Sequence, residues 1–159
     1  TSYKFYIIFY LGGEIMNFAE KKPILIHELQ ESRTLNRFEI IENNENRLCL
    51  YTLQDVYGMK YPCEIRLFMI SDNPFTVVTY RFMKGKNSDY PIELLEFLNE
   101  YNEKYEAFKF YINSENVVVG ELVYAHGEDT FDSEELVEQI KYGIECVSFV
   151  HQDMLRRFL

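Results

Sequence analysis

The sequence predicts an α+β domain in which one antiparallel sheet has helices before, within and after it, in the order α-β-β-β-β-α-β-β-α. Three observations carry the prediction. Six short segments alternate apolar with polar residues, or run apolar throughout, between turn-forming clusters. Three longer segments repeat apolar residues at helical spacing. Aromatic residues make up 16% of the chain, from 13 Tyr and 13 Phe with no Trp, which favours strands. A length of 159 residues suits one domain with a substantial core.

The elements follow in chain order. "PILIHELQESRT" reads as a first helix from Pro23, a residue suited to the first helical position, to about Ser32, with Leu25, Ile26 and Leu29 on one face. "RFEIIE", "RLCLYTLQ", "CEIRLFMI" and "FTVVTYRF" read as four strands, and the short turns between them argue for meander pairing. In "CEIRLFMI", Cys63, Ile65, Leu67 and Met69 form a wholly apolar face. Its other face, Glu64, Arg66, Phe68 and Ile70, changes from charged to apolar along the strand, which predicts a sheet with one buried and one partly wet face. "YPIELLEFLNEYNEKY" is a second helix, with Leu94, Leu95, Leu98, Tyr101 and Tyr105 at helical spacing. "AFKFYIN" and "VVVGELVYA" are the last strands, and Gly120 within the second marks a bulge or a close approach by a neighbour. Asp132 and Glu135 form a capping box for a final helix. Its stripe of Leu136, Ile140, Ile144, Val147, His151, Met154 and Phe158 gives a helix roughly 40 Å long at about 1.5 Å per residue.

Residues 1–15 differ from the rest. Gly12-Gly13-Glu14-Ile15-Met16 can be encoded by a bacterial ribosome-binding sequence followed by a start codon. The expectation is therefore an upstream or leader segment outside the fold, with translation from Met16 and one domain over 16–159. A membrane signal and an extra strand are the alternatives, although "FYIIFYL" is too short to span a bilayer.

The element order resembles that of the YbjN-like family of bacterial sensory transduction regulators, which shares the fold of the type III secretion chaperones. The resemblance is carried by the run from "RFEII" to "TVVTYRF", by "LLEFLNEYNEKYEAFKFYIN", and by "ENVVVGELVYAHGEDTFDSEELVEQI". It covers roughly residues 20–157 and has no invariant chemical signature. It implies a type III secretion chaperone-like fold and a partner-binding or regulatory role, and it supplies no catalytic residues.

Charge narrows the function classes. With 16 basic and 26 acidic residues the net charge is −10, and no basic run is present to engage phosphates. Neither nucleic acid nor an anionic membrane surface is expected as a partner. None of His27, His126 and His151 pairs with another His or Cys at the i,i+3 or i,i+4 spacing of helical metal sites. "HGEDTFDSEE" does not match a calcium loop. No metal and no cofactor is expected. Cys49, Cys63 and Cys146 lie in apolar contexts and read as reduced core thiols, consistent with a cytoplasmic protein, with a disulfide between two of them left open. An enzyme using Cys and His would need an exposed thiol within reach of His126 or His151.

The surface is what remains. Phe68, Ile70, Val78, Tyr80 and Phe82 are expected on the second face of the central hairpin, as a patch buried in the core, in a homodimer or against another protein. The reading is a non-catalytic, chaperone-like or regulatory protein-binding module, expected to be a homodimer and favouring a partner with a basic segment. The alternative is a small-molecule-sensing domain with a pocket between sheet and last helix, lined by Tyr111, Tyr124 and Tyr142.

Overall fold

A computed structural model describes residues 17–84, 91–125 and 131–158. The leader segment, the Met16 start and His126 lie outside the described residues. Three helices and six strands follow in the expected order: α1 (Phe18–Glu31), β1 (Glu39–Asn43), β2 (Arg47–Gln54), β3 (Cys63–Ile70), β4 (Phe75–Lys84), α2 (Ile92–Lys104), β5 (Phe108–Ile112), β6 (Val117–Ala125) and α3 (Ser133–Phe158). The strands form one antiparallel sheet in the order β1-β2-β3-β4-β6-β5. β1 to β4 is the meander read from the sequence. The chain then passes through α2 to the far edge, and β6 returns between β5 and β4.

Local chemistry sets the boundaries. α1 starts five residues before Pro23, because Asn17 caps it: the Asn17 side chain accepts from the Glu20 N–H at 3.0 Å, and the Glu20 carboxylate accepts from the Asn17 N–H at 2.8 Å. Pro23 thus sits inside the helix, where it cannot donate to the Ala19 carbonyl. At the start of α3 the Asp132 carboxylate accepts from the N–H groups of Glu134 and Glu135. The Glu135 carboxylate does not reach back to complete the expected box; it accepts from the Tyr124 hydroxyl at 3.1 Å and fastens the end of β6 to α3. The left-handed backbone at Asp72 and Asn116 makes the β3–β4 and β5–β6 turns.

The three helices share one side of the sheet. α3 lies over β4 and β6, α2 packs on β5, and α1 packs on α3. Their buried side chains join a single core with Leu48, Leu50, Ile65, Leu67, Val78, Tyr80, Phe108 and Leu122 of the strands. The closest approach is at Tyr80. It is fully buried, and its hydroxyl donates to the Ile140 carbonyl in α3 at 2.9 Å. A Cβ at Gly143 would overlap the Tyr80 hydroxyl, and one at Gly120 would lie 2.5 Å from Phe108 Cε1. Gly120 therefore marks a close approach, as one of the two sequence readings had it. The bulge lies in β4 instead, where pairing to β6 shifts between Arg81 and Met83.

A helical Gly→Ala exchange normally stabilises by about 1 kcal/mol. Here the sign reverses: Gly143→Ala should destabilise by about 1–3 kcal/mol through overpacking, read from the urea midpoint. Tyr80→Phe, which removes the bond to Ile140 and keeps the ring, should cost about 1 kcal/mol.

Candidate functional site

The side of the sheet opposite the helices carries no helix among the described residues. Strand alternation and register order its side chains into rows across the sheet. At the end of the sheet holding the β3–β4 turn, Arg47 pairs with Ile70, and Phe75 with Ala125. The next row reads Glu42, Cys49, Phe68, Val77 and Val123. The third holds Glu39, Tyr51, Arg66, Thr79, Glu121 and Lys109, and the fourth Leu53, Glu64, Arg81, Val119 and Tyr111. The face is thus apolar at one end and charged at the other, as the residues of β3 alone suggest.

The charged end is tied down laterally. Arg66 pairs with Glu64 at 2.7 Å, Arg81 bridges Glu64 and Glu115, and the Tyr111 hydroxyl donates to Glu121 at 3.0 Å. Desolvation first, and the Glu121 carboxylate second, push the Tyr111 phenol up to about 12. Val119, flanked in register by the long side chains of Arg81 and Tyr111, is buried on this side. At the apolar end the Arg47 guanidinium lies over the Phe68 ring at 5.1 Å, while Ile70 and Val123 stay 45% and 41% exposed. Phe68, Phe75 and Val77 are half-buried, and Cys49 is buried between Glu42 and Phe68.

The five residues expected to share a patch are separated by the register. Phe68 and Ile70 belong to the helix-free face. Val78 opposes Leu67 and Tyr80 opposes Ile65, so these two, with Phe82, point into the core. The residues of β4 that stand beside Phe68 and Ile70 are Val77 and Phe75. The physical reason is parity: of the two alternating sets in β4, the more apolar one, Val78, Tyr80 and Phe82 with the buried Thr76, goes to the core, and the mixed set of Phe75, Val77, Thr79 and Arg81 goes outside.

The three tyrosines of the alternative pocket do not converge. Tyr111 is on the helix-free face, Tyr124 is buried on the other side against the start of α3, and Tyr142 is 47% exposed on α3. The contact with the Cys146 thiol, with burial second, pushes the Tyr142 phenol up to about 12. An open cleft of about 510 Å³ does occur between α1 and α3, lined by Glu28, Ser32, Asp132, Glu135, Glu138 and Lys141 among others, but none of the three tyrosines reaches it. The sequence gives no sign of this cleft, because its walls come from helix ends far apart in the chain.

All three thiols are free and buried. Burial pushes Cys63 up to about 12 and raises Cys49 and Cys146, so none is activated as a thiolate. His151 packs edge-on against Phe82, and its Nδ1 is buried without a hydrogen-bond partner. Burial holds its pKa below the usual imidazole value. The Tyr101 hydroxyl donates to Asp153 at 2.7 Å and lowers that carboxyl's pKa. Among the described residues no group of three or more His, Cys, Asp or Glu could hold a metal ion, and no helix is long and apolar enough to cross a membrane.

Comparison with protein-family models, with curated proteins and with solved structures gives no match for this chain.

Two outcomes follow for the titratable groups. The folded protein should react with an alkylating reagent only slowly at all three thiols, and rapidly once unfolded, as mass spectrometry would show. For His151, the unfolded chain takes up the proton first as pH falls, so its contribution is full above about pH 6.5 and is lost as pH falls through the lowered folded value. The drop in urea midpoint between pH 7.5 and 5.5 should be smaller in His151→Leu than in the parent.

Proposed function

We propose that the chain is a non-catalytic protein-binding module that works through the helix-free face of its sheet. The observation that supports this best is the apolar end of that face: Phe68, Ile70, Phe75, Val77 and Val123 stand together on the outside of a sheet whose other side already has a complete core. Contiguous apolar surface of this kind marks contact sites. The unactivated thiols favour binding over Cys–His chemistry. The likeness of the element order to the secretion-chaperone plan agrees with a partner-binding role, as an analogy of fold.

A photo-crosslinking residue in place of Val77, compared with one in place of Leu95 on α2, tests the reading in extracts of the source cells. A discrete protein adduct is expected from position 77 and not from 95. Absence of any protein adduct from position 77, a second copy of the chain included, would overturn it.

A further inference from the structure

The reading of the helix-free face as a contact site is the basis for a narrower assignment: we infer that its occupant is a second copy of this chain, stacked sheet on sheet. Breadth is the first argument. The six strands, of 5, 8, 8, 10, 5 and 9 residues at about 3.4 Å per residue and about 4.8 Å spacing, present roughly 700 Å² in projection, close to the about 800 Å² per partner of a standard interface. An extended peptide would cover one or two strands of it. Another sheet, layered at about 10 Å, covers it all, and a second copy supplies one of matching size.

Charge is the second argument, and it selects the copy over the basic segment expected from composition. The chain carries −10 overall. The strand residues on this face are nearly balanced: Arg47, Arg66, Arg81, Lys84 and Lys109 stand against four glutamates, at 39, 42, 64 and 121. The net negative charge therefore lies elsewhere, including the acidic cleft between α1 and α3. A basic segment is drawn away from this face, whereas two strongly acidic chains can approach each other through it with the least repulsion. A two-fold axis running along the strands between β3 and β4 brings Phe68, Ile70 and Val77 of each copy onto those of the other, with the nearly balanced charged end facing its counterpart.

Sedimentation equilibrium of the full chain over a range of concentrations tests this. The expected species has twice the 19.1 kDa chain mass. Ile70→Lys and Val77→Lys should each raise the dissociation constant at least tenfold, and Leu95→Lys should leave it unchanged. Added salt should tighten association, because it screens the repulsion between two acidic chains. Ile70 is already 45% exposed, so its substitution separates loss of contact from loss of folding, and circular dichroism of each variant checks this. A monomer at every concentration would overturn the inference, as would a dimer indifferent to both Ile70→Lys and Val77→Lys. A monomer whose position 77 crosslinks to a different protein would overturn it while the binding reading stands; no protein adduct at all would remove both.

Discussion

Much of the architecture depends on how closely α3 can lie on β4. A buried hydroxyl must find a partner, and Tyr80 finds one in the carbonyl of Ile140, in the second turn of α3. Reaching it needs the ring to pass where a side chain at 143 would be, so the helix carries glycine there. The Tyr80 ring in turn packs 5.2 Å from that of Phe108 on the strand beyond its neighbour β6. Phe108 spans the intervening strand only because position 120 has no side chain. Two glycines and two rings thus fix β4, β6, β5 and α3 against one another. With α3 placed, α1 fits along one flank, and α2 along the other, where Tyr101 meets Asp153 and Phe149.

The same arrangement explains why the two faces of the sheet differ. Helices on one side cover the more apolar set of strand residues, and the alternation of each strand then delivers its mixed set to the outside. A mixed set is stable facing water where its charges pair, as those of Arg66, Glu64 and Arg81 do. At the end with Phe68, Val77 and Val123 the charge is confined to the β1–β2 side, where Arg47 pairs with Glu42 at 3.5 Å and lies over the Phe68 ring, and the apolar residues of β3, β4 and β6 are left without such cover. The gradient along the face is therefore a gradient in how completely the sheet satisfies itself.

The elements of the fold were legible because each has a local cause. β2, β3 and β6 have the bounds that their apolar runs indicate, and the stripe of α3 marks its buried side from Leu136 to Met154. α1 was misplaced at its start because Pro23 suggests a first turn, while the stronger signal, Asn17 with Glu20 three residues on, lies before it. The polarity change along β3 foretold the character of the outer face, but the residues of β4 belonging to that face did not follow from β4 alone. Both of its alternating sets contain apolar residues, and only the pairing of Leu67 with Val78 decides which set turns inward. Parity across a hairpin is a property of register, and a turn such as "SDNP" leaves register open by one residue. The α1–α3 cleft is a property of tertiary packing, with no local signature, whereas the burial of Cys49 was legible in its apolar context.

How sheets can meet also bears on the outer face. A sheet can extend at its edges or stack on its faces, and here both edges are obstructed. On β5, the central residue Phe110 has its backbone N–H bonded to the Asn102 side-chain oxygen at 2.6 Å, and its carbonyl accepts from the Asn102 amide at 2.9 Å. One side chain of α2 thereby occupies the groups that an added strand would use. β1 is only five residues long, is bulged between Ile40 and Glu42, and carries Glu39 and Glu42. Its end is further tied by Lys22, whose ammonium donates to the Asn43 side chain and the Asn44 carbonyl. Short, bulged, charged or side-chain-capped edges are how sheets avoid lengthening by accident. With extension disfavoured at β1 and β5 and the helices filling one face, the remaining face is where this sheet can meet another protein broadly.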